Sequence, residues 1–146
     1  MTLRLLIVDA NVAADVFGKN SDYDPVRAAL FNARRTTWGI AHGGRLTDEL
    51  LQVEASRRAL ASLEKVGRTK TAARQDVEHV EDQLRSESRC VSNDLHVIAV
   101  GKLTGARLLC TRDQALASDF TNPKLLSGPR GKVYHDRSHE HLLRTR

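Results

Sequence analysis

The sequence predicts an α/β domain in three layers, with helices on both faces of a central parallel sheet of four to five strands. Three observations carry this expectation. Leu3 to Val8 is nearly all Leu, Ile and Val, the pattern of a strand covered on both faces. Short apolar runs of this kind alternate with stretches whose apolar residues recur at helical spacing, the order expected of a parallel sheet with crossover helices. The 146 residues suffice for one core and are short for two, so a single domain over 1–146 is expected.

Taken in order, LLIVDANV reads as the first strand, ending on Asp9, with Asn11 as the cap of a short helix from Val12 to Phe17. Asp24-Pro25 then has the form of an N-cap followed by Pro at the first helical position, with Val26, Ala29 and Leu30 as the inner stripe. Thr36 to Ala41 reads as a second strand, closed by His42-Gly43-Gly44. Thr47 is expected to cap a long helix in which Leu50, Leu51, Ala55, Ala59, Leu60 and Leu63 recur, ended by Gly67.

Arg68 to Arg89 reads as a polar helix whose narrow stripe is Val77, Val80 and Leu84. Ser92 or Asn93 is expected to cap the next helix, from Asp94 to Lys102, with Gly105 as its stop. Arg107 to Thr111, RLLCT, is a further strand, followed by the turn TRDQ and a helix over Ala115 to Phe120. Gly128 to Gly131 is a loop, and Lys132 to Tyr134 a last edge strand.

The composition, 40% hydrophobic and 28% charged, is that of a soluble globular protein. No apolar run approaches the roughly 20 residues of a membrane span, and the N-terminal run breaks at Asp9 before a signal-peptide core is complete. A cytoplasmic location without membrane association is therefore expected. Cys90 and Cys110 lack a CxxC spacing and read as idle thiols. From Thr121 to Arg146 six cations face Asp136 and Glu140, so this segment carries four of the chain's net +5 charges. Such a concentration suits a polyanion.

In parallel α/β sheets, ligands bind beyond the carboxyl ends of the strands. Asp9 ends the first strand and Asp113 follows RLLCT. Asp94 opens the helix leading to that strand, and Glu49 lies in the first turn of the long helix after TTWGIA. Carboxylates gathered at one edge repel one another, and a divalent cation removes that penalty. Oxygen ligands suit Mg²⁺ or Mn²⁺, which can polarise a phosphoryl oxygen and lower the pKa of a bound water. Singly, each residue also reads as a helix cap, a dipole partner or a turn former.

LLIVDANV, TDELL and NDLHVIAVGKLTGARLLCTRD together resemble the PIN domain, a family of small metal-dependent ribonucleases that includes toxins of VapC type. The resemblance extends over nearly the whole chain and is most specific from Asp94 to Asp113. It implies a Mg²⁺- or Mn²⁺-dependent endoribonuclease in which Asp9, Asp94 and Asp113 hold the cation and Glu49 completes the acidic cluster, with Glu54 as the alternative glutamate. It further implies a homodimer, an RNA substrate, a possible antitoxin partner, and Thr111 as a hydroxyl residue near the metal. Asp119 falls where some members carry another acidic residue.

Two departures and two competing readings accompany it. The polar stretch from Arg68 and the basic C-terminal segment are unlike the small toxins. Asp9-Ala10-Asn11 resembles the start of haloacid dehalogenase-like phosphatases, but an amide in place of their second Asp lacks the catalytic proton. A PIN-fold module that binds nucleic acid or protein without turnover is the alternative to the nuclease. His135, His139 and His141 offer imidazoles at short spacing, though a tail this polar also reads as solvated. His96, one turn into its helix, is left without a role.

Overall fold

The structure, a computed structural model, describes residues 3–32 and 37–144. Thr36, the first residue of the expected second strand, lies outside them. The chain runs β1 (Arg4–Val8), α1 (Ala10–Val16), α2 (Asp24–Phe31), β2 (Trp38–Gly43), α3 (Gly44–Leu51), α4 (Glu54–Lys65), β3 (Thr69–Ala72), α5 (Arg74–Glu87), α6 (Leu95–Thr104), β4 (Leu108–Cys110), α7 (Gln114–Phe120) and β5 (Lys132–Tyr134), and closes with a 3₁₀ segment, Arg137–Leu143.

The five strands form one parallel sheet in the order β3-β2-β1-β4-β5, flanked by helices. The chain builds outward from β1 through β2 to β3, then returns to add β4 and β5 on the other side. The order therefore reverses between β1 and β4, and this switch point is where a crevice opens at the carboxyl edge. β1 is central because it is apolar on both faces: Leu6, Ile7 and Val8 are fully buried, and so are Ile40, Leu109 and Ile98 around them.

Four local expectations are corrected. The expected helix beginning at Thr47 is two helices, α3 and α4, separated at Gln52 and Val53. The buried Ser56 hydroxyl donates to the carbonyls of Leu50 and Val53, and Arg57 Nη1 donates to Leu51 O at 3.1 Å, so side chains take over carbonyls that a continuous helix would use. No Gly or Pro marks the break. α3 instead starts at Gly44, whose φ of +52° turns the chain sharply out of β2. Thr47 lies inside α3, where its hydroxyl meets His42 Nδ1 at 2.7 Å.

The polar stretch from Arg68 contains β3 before α5 begins at Arg74. Thr69-Lys70-Thr71 pairs on one side only, with β2, so an edge strand of Thr and Lys carries little apolar pattern. The caps also shift. α1 begins at Ala10 with Asp9, not Asn11, at its N-cap, and α2 begins at Asp24 with Tyr23 before it. Asp24 instead accepts from Arg27 Nη2 at 2.6 Å. α6 begins at Leu95 with Asp94 itself at the cap, while Ser92 Oγ accepts from the Asp94 N–H at 2.9 Å.

Candidate active site

Three of the four expected acids occupy equivalent places. Asp9, Asp94 and Asp113 are the N-cap residues of α1, α6 and α7, the helices that begin at or beside the ends of β1 and β4. The backbone closes the switch point itself, since the Asp9 N–H donates to Cys110 O at 3.0 Å. Above that bond the buried Thr111 hydroxyl donates to Asp9 Oδ2 at 2.7 Å and accepts from the Asp113 N–H at 3.0 Å. One side chain thus fixes the two aspartates relative to each other.

Capping accounts for these acids unequally. Asp113 Oδ1 accepts from Leu116 N at 3.1 Å, an ordinary cap bond. Asp9 Oδ1 receives Asn11 N at only 3.4 Å. Asp94 makes no side-chain cap bond. Asp9 is 5% exposed, and burial pushes its carboxyl above the ordinary value, with the nearby charges of Asp94 and Asp113 adding to the rise. The Thr111 hydroxyl and the Asn11 N–H act the other way. Among the described residues no Lys, Arg or His forms an ion pair with any of the three.

Glu49 belongs to a neighbouring arrangement. It sits near the end of α3, not in its first turn, and its Oε1 lies 2.8 Å from Nε2 of the buried His96 in the first turn of α6. Arg45 Nη2 lies 2.7 Å from His96 Nδ1. A guanidinium only donates, so Nδ1 must accept, and the ring carries its proton on Nε2 and donates it to Glu49. His96 was given no role by the sequence, and its place in the first turn of the helix that Asp94 opens was the only available signal. Glu54 is exposed and paired with Arg58 at 2.7 Å, away from this arrangement. Asp119 is buried, its carboxylate accepting from the N–H groups of Val91 and Ser92 at 2.8 to 3.1 Å, which ties α7 to the segment before α6.

The histidines divide. His135 Nδ1 donates to Thr111 O at 2.7 Å, and the His135 N–H donates to His139 Nδ1 at 3.0 Å. Together with Asp22, Arg112, Gln114 and Asp136 they line a small cavity. His141 faces a different cavity, one lined by Arg4 and Trp38 at the amino ends of the strands. Cys110 is buried and its thiol is pushed far above the ordinary value by that burial, as expected of an idle thiol.

The donor set suits a hard divalent cation in chemistry and in charge: carboxylate oxygens and a hydroxyl, without a basic partner. As the side chains stand, no three His, Cys, Asp or Glu groups among the described residues close into a cage that would hold a metal. No protein-family model matches the chain, and no curated protein matches it.

Proposed function

We propose that the protein is a Mg²⁺- or Mn²⁺-dependent endoribonuclease of PIN type. The observation that supports this most is the buried Asp9 carboxylate, set at the switch point against Asp94 and Asp113 with no ion pair to any of the three among the described residues. Capping alone would favour well-bonded, exposed carboxylates. An arrangement that gathers like charge in a half-buried crevice is instead destabilised until an external cation joins it.

Asp9, Asp94 and Asp113 would hold the cation. When bound, it would polarise a phosphoryl oxygen and lower the pKa of water. The remaining chemistry falls to the chain. Thr111 holds Asp9 Oδ2, and among the described residues Oδ1 accepts only the long bond from the Asn11 N–H. His96 fixes Glu49 through Oε1, and its second oxygen, 4.0 Å from Arg45 Nε, would orient a water for attack on phosphorus. Opening the phosphodiester in this way leaves a 5′-phosphate and a 3′-hydroxyl. The role of toxin in a toxin–antitoxin pair, a homodimer and a cytoplasmic location belong to the same proposal.

The test is cleavage of single-stranded and structured RNA by purified protein in Mn²⁺. Asp9→Asn and Asp94→Asn are expected to lower the rate on the order of 100-fold or more; equal rates in all three proteins would refute the proposal. The absence of a closed cage among the described residues favours one competing reading, a binding module of the same fold without turnover. Calorimetry separates the two, because the nuclease binds Mn²⁺ in a manner abolished by Asp9→Asn and the module does not.

A further inference from the structure

A cavity lies at the opposite edge of the sheet from the carboxylates. It measures about 950 Å³ and runs along the amino ends of the strands, from Lys70 on β3 to Lys132 on β5. Arg4, Lys70, Arg107, Arg130, Lys132 and Arg144 line it, and among the described residues no Asp or Glu does. Among the described residues none of these six is ion-paired with a carboxylate. Arg130, Lys132 and Arg144 come from the basic C-terminal segment, whose charge suits a polyanion.

Most of these cations are held in place by carbonyls. Arg107 donates to Gly101, Ala106, Ser127 and Pro129 at 2.6 to 2.9 Å. Lys70 Nζ donates to Thr104 O at 3.2 Å, Arg130 Nε to Thr121 O at 2.7 Å, and Arg4 Nη1 to Arg144 O at 2.7 Å. Carbonyl bonding fixes position without neutralising charge, so the groove keeps a row of preset cations. Leu3, Leu5, Leu108 and Leu142 form apolar stretches between them. Trp38 is 3% exposed and lies under the Arg4 guanidinium at 4.3 Å, so its ring is no platform for base stacking.

We infer that this amino-edge groove binds single-stranded RNA through its phosphate backbone. Six cations from separate elements along a concave edge, with no carboxylate among them, match a repeated negative charge, and the lack of an open aromatic face matches recognition without base preference. β1 carries five residues from Arg4 to Val8, so at ~3.3 Å per residue the groove and Asp9 are on the order of 16 Å apart. The groove therefore holds a part of the strand remote from the scissile bond. The choice of RNA as ligand rests on the nuclease reading, whereas binding at this edge needs neither cation nor cleavage.

The experiment measures fluorescence anisotropy of a labelled 12-nucleotide single-stranded RNA in EDTA, across a salt series, with wild type, Asp9→Asn and the double variant Lys70→Glu/Lys132→Glu. Both lysines are exposed, and circular dichroism checks the fold; Lys70→Gln/Lys132→Gln replaces the pair if the reversal unfolds the protein. The double variant is expected to bind at least about 10-fold more weakly, with a salt slope reduced by about 1.4, while Asp9→Asn binds within twofold of wild type. An unchanged affinity and slope in the folded lysine variants would overturn the inference. So would a poly-glutamate peptide that competes as well as RNA of equal charge, since the groove would then serve an acidic protein segment. Loss of cleavage in Asp9→Asn with retained binding keeps the two proposals distinguishable.

Discussion

The carboxyl and amino edges of the sheet carry opposite charges, and both charges follow from one geometric fact. In a parallel α/β fold the helices run back against the strands, so helix N-termini collect at the carboxyl edge and helix C-termini at the other. Asp9, Asp94 and Asp113 occupy three N-caps, and Lys70, Arg107 and Arg130 bond carbonyls at the ends of α6 and α7. Orphan N–H groups attract acids and orphan carbonyls attract bases. The edges differ in how far this account reaches. At the amino edge Lys70, Arg107 and Arg130 each have a carbonyl to bond. At the carboxyl edge Asp94 caps nothing and Asp9 is buried beside like charges. The excess over what capping explains is what marks the carboxyl edge as the candidate site.

Three measurements would sharpen or break the contrast. The largest loss of stability from a single substitution is expected at Arg107, whose guanidinium satisfies four carbonyls. Arg107→Ala should lower stability in urea by about 2 kcal/mol, because several partly buried acceptors lose their donor together. A loss below about 0.5 kcal/mol would show that water replaces the side chain and that the amino edge is not built around it.

The second measurement concerns Asp9. Its folded carboxyl binds a proton more tightly than the ordinary value of 3.8, so the folded state holds more proton than the unfolded chain as pH rises through that window. Stability accordingly falls from pH 3.8 up to the folded value and stays reduced above it. In EDTA, Asp9→Asn is expected to melt higher than wild type at pH 7 and to lose that advantage below pH 3.8. Saturating Mn²⁺ should stabilise wild type, by about 2.7 kcal/mol at one hundred times its Kd, and leave the variant unmoved. A variant that melts lower at pH 7 would make Asp9 a structural cap.

The smallest effect is expected at Lys132, which is exposed and makes no bond to a carbonyl among those that anchor its neighbours. Lys132→Gln should change stability by less than about 0.5 kcal/mol while still weakening RNA binding. That combination would separate cations that hold the amino edge together from those that only present charge there.

The sequence by itself determined the α/β class, β1, β4 and β5, and the helices that follow or precede them. The runs of β1 and β4 are short, apolar, bounded by polar turns and buried on both faces, and β5 follows from the loop before it at the sheet's edge. It also determined that Asp9, Asp94 and Asp113 share an edge, because a parallel sheet fixes where each strand ends. Tertiary structure alone decided the rest. β3 is polar because only one neighbour pairs with it, and the break between α3 and α4 is made by Ser56 and Arg57 reaching back to carbonyls, a contact with no local signature. Pairing of Glu49 with His96, 47 residues away, and the gathering of Arg130, Lys132 and Arg144 at the amino edge depend on how the elements pack around the sheet. Periodicity encodes which face of an element is buried, whereas the partner that a charged side chain meets is set by distances between elements.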